Sequence, residues 1–142
     1  MRFHDLSVGQ TIEIGPRDVS ASEIVAFASK YDPQPFHVDP VRASAGRWGG
    51  LIASGWLTCS IAMELAVRGI LEGSESYGSP GVEMLEWMHP VRPGDVLRLV
   101  VTVLESRVSS SQTTGIIRWR WELFNQDDVR VLRLVATSFF AV

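Results

Sequence analysis

Apolar and polar residues follow two different periods along the chain, one helical and one alternating. In the first half, Ser20 and Glu23 have the spacing of a helix-capping box, and the apolar positions behind them repeat at helical spacing. These features predict a helix over residues 21–31. A second helix is predicted from Ser54 to about Ile70, where the residues are apolar on nearly every side, as in a helix buried on most of its faces.

Prolines separate these two helices. Pro33, Pro35 and Pro40 prevent a continuous helix, because proline lacks a backbone N–H and restricts the residue before it. Asp39 followed by Pro40 is a typical helix start and predicts a short helical turn over 41–45.

The second half of the chain alternates in the manner of β-strands. The alternation is clearest over 115–124, where large apolar residues face one way and charged residues face the other. The apolar set is Ile117, Trp119, Trp121 and Leu123, and the charged set is Arg118, Arg120 and Glu122. Further strands are predicted over 11–14, 82–91, 96–105 and 130–142, with a hairpin loop at 125–128 and a turn-rich connection at 73–81. We expect Gly15-Pro16 to end the first strand, and 96–105 to be buried on both faces.

These elements predict an α+β domain in which an antiparallel sheet wraps one long central helix. The 142 residues suit a single domain spanning 1–142, and a composition of 46% hydrophobic and 20% charged residues is that of a globular chain. A net charge of −3 gives no electrostatic support for a nucleic-acid partner. The single cysteine, Cys59, excludes an intrachain disulfide and a cysteine metal cage.

The N-terminal residues and the lengths of the apolar runs bear on cellular location. Met1 to Asp5 lacks the apolar core of a signal peptide, and no run approaches the roughly 18 apolar residues of a membrane span. We therefore expect a cytoplasmic protein with no membrane segment.

The segment Tyr31-Asp32-Pro33-Gln34-Pro35-Phe36-His37 carries the clearest candidate chemistry. The prolines between Asp32 and His37 make a stiff connection, which can hold a carboxylate and an imidazole in a fixed relation. Such a pair suits general acid–base catalysis, because imidazole titrates near neutral pH. The plainer alternative is that Asp32 caps a turn and that His37 is an ordinary loop histidine.

A second candidate is the glycine-containing run Gly49-Gly50-Leu51-Ile52-Ala53-Ser54-Gly55-Trp56, which leads into the apolar helix. The first turn of a helix has free backbone N–H groups and a positive dipole end. Gly55 has no side chain to keep a ligand carbonyl away from them, so this is a candidate oxyanion site. Alternatively, the glycines only close a turn and allow tight helix packing.

Together, the run from Tyr31 to Pro40 and the run from Gly49 to Trp56 resemble the hydratase signature of the MaoC-like dehydratase family, which includes the (R)-specific enoyl-CoA hydratases. The segment Pro90-Val91-Arg92-Pro93-Gly94-Asp95 and the final strand pair around Asn125-Gln126 are similar to that family as well. The resemblance covers almost the whole chain, and its first block is highly specific.

The resemblance implies a hot-dog fold, assembled as a homodimer or as a dimer of such dimers. It also implies reversible hydration of a trans-2-enoyl thioester in fatty acid metabolism, carried on coenzyme A or on acyl carrier protein, with no metal or other cofactor. In the family pattern the catalytic pair falls on Asp32 and His37, and the N–H that holds the thioester oxygen falls on Gly55. The expected substrate contacts around them are Ser54, Trp56 and Tyr31.

Several alternatives remain open at this point. A hot-dog thioesterase would use a carboxylate on the central helix, for which Glu64 is the candidate, and a non-catalytic acyl-thioester binding module would need neither residue of the pair. A metal site built on Asp32, His37 and Asp39 lacks the second nearby histidine of a facial triad. The bulky residues expected around the acyl group favour a short or branched substrate; these are Trp56, Met63, Met84 and Trp87.

Overall fold

The computed structural model describes all 142 residues, which form five strands and four α-helices. The strands are β1 (Thr11–Asp18), β2 (Ser76–Trp87), β3 (Val96–Val108), β4 (Thr114–Phe124) and β5 (Arg130–Ala141). The helices are α1 (Ala21–Tyr31), α2 (Pro35–Val38), α3 (Pro40–Ala45) and α4 (Gly55–Ala66), and a π-helical turn over Val67–Leu71 extends α4. None of these helices has the length and apolar character needed to cross a membrane.

The strands form one antiparallel sheet in the order β1-β3-β4-β5-β2, so β1 and β2 are its edges. The alternation predicted over 115–124 is confirmed, because the four apolar residues of β4 are buried in a core of 27 residues that also contains the inner side of α4. On the outer face of β4, Glu122 is also buried, because Arg120 and Arg130 pair with its two carboxylate oxygens at 2.9 and 2.6 Å. The predicted α+β architecture is therefore confirmed, whereas the extent of the domain over 1–142 stays a prediction.

Three strand predictions were wrong in detail. Strand β1 continues past Gly15-Pro16 to Asp18, because its pairing with β3 shifts register between Ile14 and Arg17. Strand β2 begins at Ser76, inside the predicted turn-rich connection, because similar shifts let its first half pair with β5. Strand β3 buries only one face, and the alternate residues on the other face are partly exposed.

Helix α4 is buried on the side that faces the sheet, but one side of it has no cover. Leu57, Ile61 and Leu65 are almost fully buried, whereas Trp56 and Met63 are 56% and 49% exposed. The predicted burial on most faces therefore holds only in part.

Two serine caps begin the helices that lead to the candidate site. The Ser20 side chain accepts the N–H of Glu23 at the start of α1, and the Ser54 side chain accepts the N–H of Trp56 at the start of α4. The segment before α4 is held on both sides, because the N–H of Ile52 donates to the carbonyl of Phe36 and that of Ala53 to the carbonyl of Val91. These bonds tie the segment before α4 to α2 and to the connection between β2 and β3.

Candidate active site

A cavity of about 490 Å³ lies where the end of α1, the start of α4 and the connection between β2 and β3 meet. Asp32, His37 and Gly55 all line it, although α1, α2 and α4 supply them separately. The candidate residues of the sequence therefore meet around one space large enough to hold a small acyl group.

Local backbone structure brings Asp32 and His37 together. Asp32 follows the last residue of α1, and Pro35 begins the short helix α2, which carries His37. As a result, Nε2 of His37 lies 3.3 Å from Oδ2 of Asp32. The imidazole is 5% exposed, so water screens this contact far less than it would at the surface.

A backbone carbonyl sets the protonation pattern of His37. Its Nδ1 lies 2.7 Å from the carbonyl oxygen of Ile52. A carbonyl can only accept a hydrogen bond, so Nδ1 carries a proton and donates it. Nε2 is therefore the nitrogen that exchanges protons, and it is the one that faces Asp32.

The carboxylate of Asp32 accepts a hydrogen bond on each oxygen. Nε2 of Gln34 donates to Oδ1 at 2.8 Å, and Oγ of Ser54 donates to Oδ2 at 2.8 Å. Burial acts to raise the pKa of Asp32, but these two bonds and the charge of His37 outweigh it, and the pKa lies below its ordinary value of 3.8. Asp32 is therefore ionised at neutral pH.

The start of α4 also lines this cavity, through Gly55. Gly55 is the first residue of α4, so its N–H has no acceptor within the helix, and no loop or side-chain acceptor takes it. The side of Gly55 that a Cβ would occupy is filled by the indole of Trp87, so a side chain at this position would overlap the ring. The indole N–H of Trp87 also donates to the carbonyl of Gly55 at 2.9 Å.

The structure places the three expected substrate contacts in different surroundings. Trp56 lines the cavity, as expected. Ser54 is fully buried and lies behind the lining, because its hydroxyl is turned to Asp32. Tyr31 is 64% exposed and faces a shallow groove between α1 and α4, because it precedes the turn that points Asp32 inward. The substrate contacts of Ser54 and Tyr31 therefore stay predictions.

Several residues that line the cavity were not among the predicted site residues. Gln34 lies within the candidate segment, and its amide, two residues from Asp32, could have indicated a hydrogen bond to the carboxylate. Trp48 and His89 come from other loops, where each directly precedes a run that the sequence analysis marked, Gly49–Trp56 and Pro90–Asp95. Of the four bulky residues expected around the acyl group, Trp56 and Trp87 line the cavity, whereas Met63 and Met84 do not.

Other carboxylates near the cavity are already engaged. Glu64 lies outside the lining and forms ion pairs with Arg17 at 2.9 Å and with Arg68 at 2.7 Å. Asp39 caps α3, because its Oδ1 accepts the N–H groups of Val41 and Arg42. No three side chains of histidine, cysteine, aspartate or glutamate are grouped as metal ligands.

Comparison with known proteins identifies the family. Residues 5–120 match the model of the MaoC like domain. The chain belongs to the MaoC-like domain family. Its architecture, with an antiparallel sheet around a helix, is the hot-dog fold.

Individual relatives are similar to this MaoC-like chain over most of its length. A MaoC-like dehydratase from Rhodospirillum rubrum is 37% identical, with 97% of this chain and 94% of that one covered and a TM-score of 0.89. An (R)-hydratase from A. caviae involved in PHA biosynthesis is 25% identical over 94% of this chain and 96% of its own, with a TM-score of 0.70. The uncharacterized protein YdeM of Bacillus subtilis is 31% identical over 131 residues, 92% of each chain. The MaoC-like chain is thus similar to hot-dog dehydratases and has an (R)-hydratase among its structural neighbours.

Proposed function

We propose that this MaoC-like protein is a hydro-lyase that reversibly hydrates a trans-2-enoyl thioester to the 3-hydroxyacyl thioester. The observation that carries the proposal is the contact of 3.3 Å between Asp32 and His37, in a cavity also lined by Gly55, whose N–H has no partner in the chain. A base, an acid and an oxyanion donor are the three groups that this reaction requires.

In the proposed reaction, water attacks carbon 3 of the enoyl thioester. The ionised Asp32 accepts a proton from the water as its oxygen bonds to carbon 3, and the electrons of the double bond move toward the thioester oxygen. Protonated Nε2 of His37 then gives its proton to carbon 2, which completes the addition of water. Each step uses only side-chain and backbone groups of the chain.

The thioester oxygen becomes negative in the transition state and needs a fixed donor. The N–H of Gly55 is suited to this role, because it belongs to the first turn of α4, where the helix dipole is positive. A donor held by the backbone does not have to reorganise during the reaction.

The pair returns to its starting state by a single proton transfer. After hydration Asp32 is protonated and Nε2 of His37 is neutral, so the proton passes from Oδ2 to Nε2 across their contact of 3.3 Å. Nδ1 keeps its proton throughout, because it remains bonded to the carbonyl of Ile52.

We propose a short or branched acyl group, carried on coenzyme A or on acyl carrier protein. The cavity of about 490 Å³ is lined by the indoles of Trp48, Trp56 and Trp87, and these bulky side chains favour a short or branched acyl group. The (R)-hydratase from A. caviae supports the reaction class. The predicted cytoplasmic location stays a prediction.

The thioesterase alternative loses its candidate residue, because Glu64 lies outside the cavity and is paired with two arginines. A carboxylate held in this way does not face a bound thioester. The assay described below tests the binding-module alternative, because a module of that kind would bind acyl thioesters without turnover.

We also propose that two copies associate through the uncovered side of α4 and the free edge of β2. Trp56, Met63 and Val67 are exposed along that side of α4, at 56%, 49% and 41%. The edge strand β2 spans 12 residues and leaves one row of backbone groups unpaired. An exposed apolar face beside an open sheet edge is typical of an interface, and a second copy of the chain carries the complementary edge.

The proposed reaction is tested with crotonyl-CoA and a panel of longer, branched and carrier-protein enoyl thioesters. Loss of enoyl-thioester absorbance reports hydration, and a thiol reagent reports hydrolysis in a parallel sample. We expect absorbance loss without thiol release. Thiol release would instead establish a thioesterase, and binding without either change across the panel would establish a binding module.

A further inference from the structure

The buried hydroxyl of Ser54 links the two halves of the candidate active site. Ser54 is 0% exposed and is the N-cap residue of α4. Its Oγ donates to Oδ2 of Asp32 at 2.8 Å and accepts the N–H of Trp56 at 3.3 Å. Ser54 is absent from the cavity lining and its hydroxyl is turned to Asp32, so we expect its effect on the reaction to pass through its hydrogen-bond partners.

The two hydrogen bonds of the Ser54 hydroxyl form a chain of donors from the Trp56 N–H to the Asp32 carboxylate. The Trp56 N–H donates to Oγ, and the Oγ–H in turn donates to the carboxylate, so the hydroxyl cannot turn away without breaking both contacts. The other neutral donor to Asp32, Gln34, is exposed, and water competes for its bond. The bond from Ser54 is therefore the more permanent constraint on the carboxylate.

We propose that Ser54 is a positioning residue that fixes the carboxylate of Asp32 relative to the free N–H of Gly55. This role rests on the proposed function, in which Asp32 is the base and Gly55 the oxyanion donor. Ser54 precedes Gly55 directly in the chain, so one residue joins the base to the donor. The distance between the carboxylate that activates water and the N–H that binds the oxyanion is then set by the covalent link from Ser54 to Gly55 and by one buried hydrogen bond.

The same bond affects the charge of Asp32. The titratable group in contact with this carboxylate is His37 from α2, and His89 from the connection between β2 and β3 lines the same cavity. Helix α4 adds no charged side chain to the lining. Loss of the Ser54 hydroxyl should therefore raise the pKa of Asp32, because a donor to the ionised form is removed while burial remains.

The test compares Ser54→Ala with Ser20→Ala and Ser54→Thr. Ser20→Ala removes the matching cap hydroxyl from α1, where it bonds Glu23 and touches nothing in the cavity. The pKa of Asp32 is measured by carbon-13 NMR titration of the side-chain carboxyl groups, without substrate, and kcat and KM are measured with the best enoyl thioester. Denaturation midpoints show how much each cap contributes to stability.

We expect Ser54→Ala to raise the pKa of Asp32 and to lower kcat by about 10- to 100-fold with KM changed little, since the reacting groups lose their alignment. Ser54→Thr, which keeps the hydroxyl, should recover most of kcat, and Ser20→Ala should lower only the denaturation midpoint. An unchanged pKa of Asp32 in Ser54→Ala would overturn the assignment, whatever reaction the protein catalyses. Failure of the wild-type protein to hydrate any enoyl thioester would instead overturn the proposed function.

Discussion

At the scale of single residues, the charge of Asp32 depends on neighbours that the chain places around it. Gln34 and Ser54 each donate one hydrogen bond to the carboxylate, and His37 lies against the same oxygen as Ser54. Because the pKa of Asp32 is lowered, the base remains ionised as the pH falls through the ordinary carboxyl range. The acid limb of kcat/KM should therefore lie below pH 3.8.

Gln34→Glu tests this control of Asp32 at the exposed side of the carboxylate. The change replaces a donor with a like charge, so the pKa of Asp32 should rise and the acid limb of kcat/KM should move to higher pH. The fold should be unaffected, since Gln34 is exposed. The measurement is a pH–rate profile of both proteins.

Gln126→Glu is the matched control for that change. Gln126 donates to Oδ1 of Asp95 at 3.0 Å, so the substitution creates the same pair of carboxylates outside the cavity. Its pH–rate profile should match that of the wild type. An acid limb that stays in place in Gln34→Glu, or that moves equally in both variants, would show that Gln34 does not set the charge of the base.

The proximity of candidate residues could be predicted from sequence where those residues share a short segment. Asp32 and His37 could be paired because the prolines between them restrict the chain, and the structure brings them into contact. Ser54 was assigned to the substrate because its position next to Gly55 does not reveal that its hydroxyl turns inward. His89 could not be found, since only the tertiary fold brings the connection between β2 and β3 to the cavity.

At the scale of elements, the start of α4 and the end of β2 are fitted to each other. The indole of Trp87 fills the space beside Gly55, and its N–H bonds the Gly55 carbonyl. A glycine is thus required at this position by packing against Trp87, in addition to any role of its N–H.

Gly55→Ala should destabilise the protein by about 1–3 kcal/mol, because the new methyl group overlaps the indole and one of them must move. In a Trp87→Ala background the same change should cost far less, since the space is empty. Urea denaturation of the four proteins gives the coupling between the two positions. An equal cost of Gly55→Ala in both backgrounds would contradict the packing that we describe.

Element boundaries were predictable where caps mark them and were missed where pairing overrides local signals. The helix over 21–31 begins behind Ser20 as its capping pattern indicates. By contrast, Gly15-Pro16 looks like the end of a strand, yet β1 continues to Asp18, because β3 lies alongside and accepts the irregular register. Only the pairing with β3 shows that β1 can continue past Gly15-Pro16.

At the scale of the whole molecule, the uncovered side of α4 and the free edge of β2 form one surface. Trp56 and Trp87 belong both to this surface and to the cavity lining, and their rings meet edge to face at 5.1 Å. A second copy seated here would cover one flank of the cavity and keep water from the acyl group. The sequence predicted association only through family resemblance, because exposure of one helix side depends on how the sheet wraps the other.

Met63→Glu should dissociate the proposed dimer into monomers, because association would bury an unpaired carboxylate. Val108→Glu is the control, since Val108 is 43% exposed but lies at the end of β3, away from α4 and from the edge of β2. Sedimentation velocity should show a dimer for the wild type and for Val108→Glu. A wild-type monomer, or a Met63→Glu dimer of unchanged affinity, would rule out this interface.

The central claim is that Asp32 and His37 hydrate an enoyl thioester, and the most direct test is crotonyl-CoA hydration by the wild type, Asp32→Asn, His37→Ala and Asp39→Asn. The last variant is the matched control, because Asp39 lies in the same segment but caps α3 outside the cavity. All four proteins should first be shown to be folded by circular dichroism. We predict a loss of roughly 100- to 10,000-fold in kcat for Asp32→Asn and His37→Ala, and a nearly unchanged rate for Asp39→Asn. Hydration by folded Asp32→Asn at the wild-type rate would contradict the assignment of the pair.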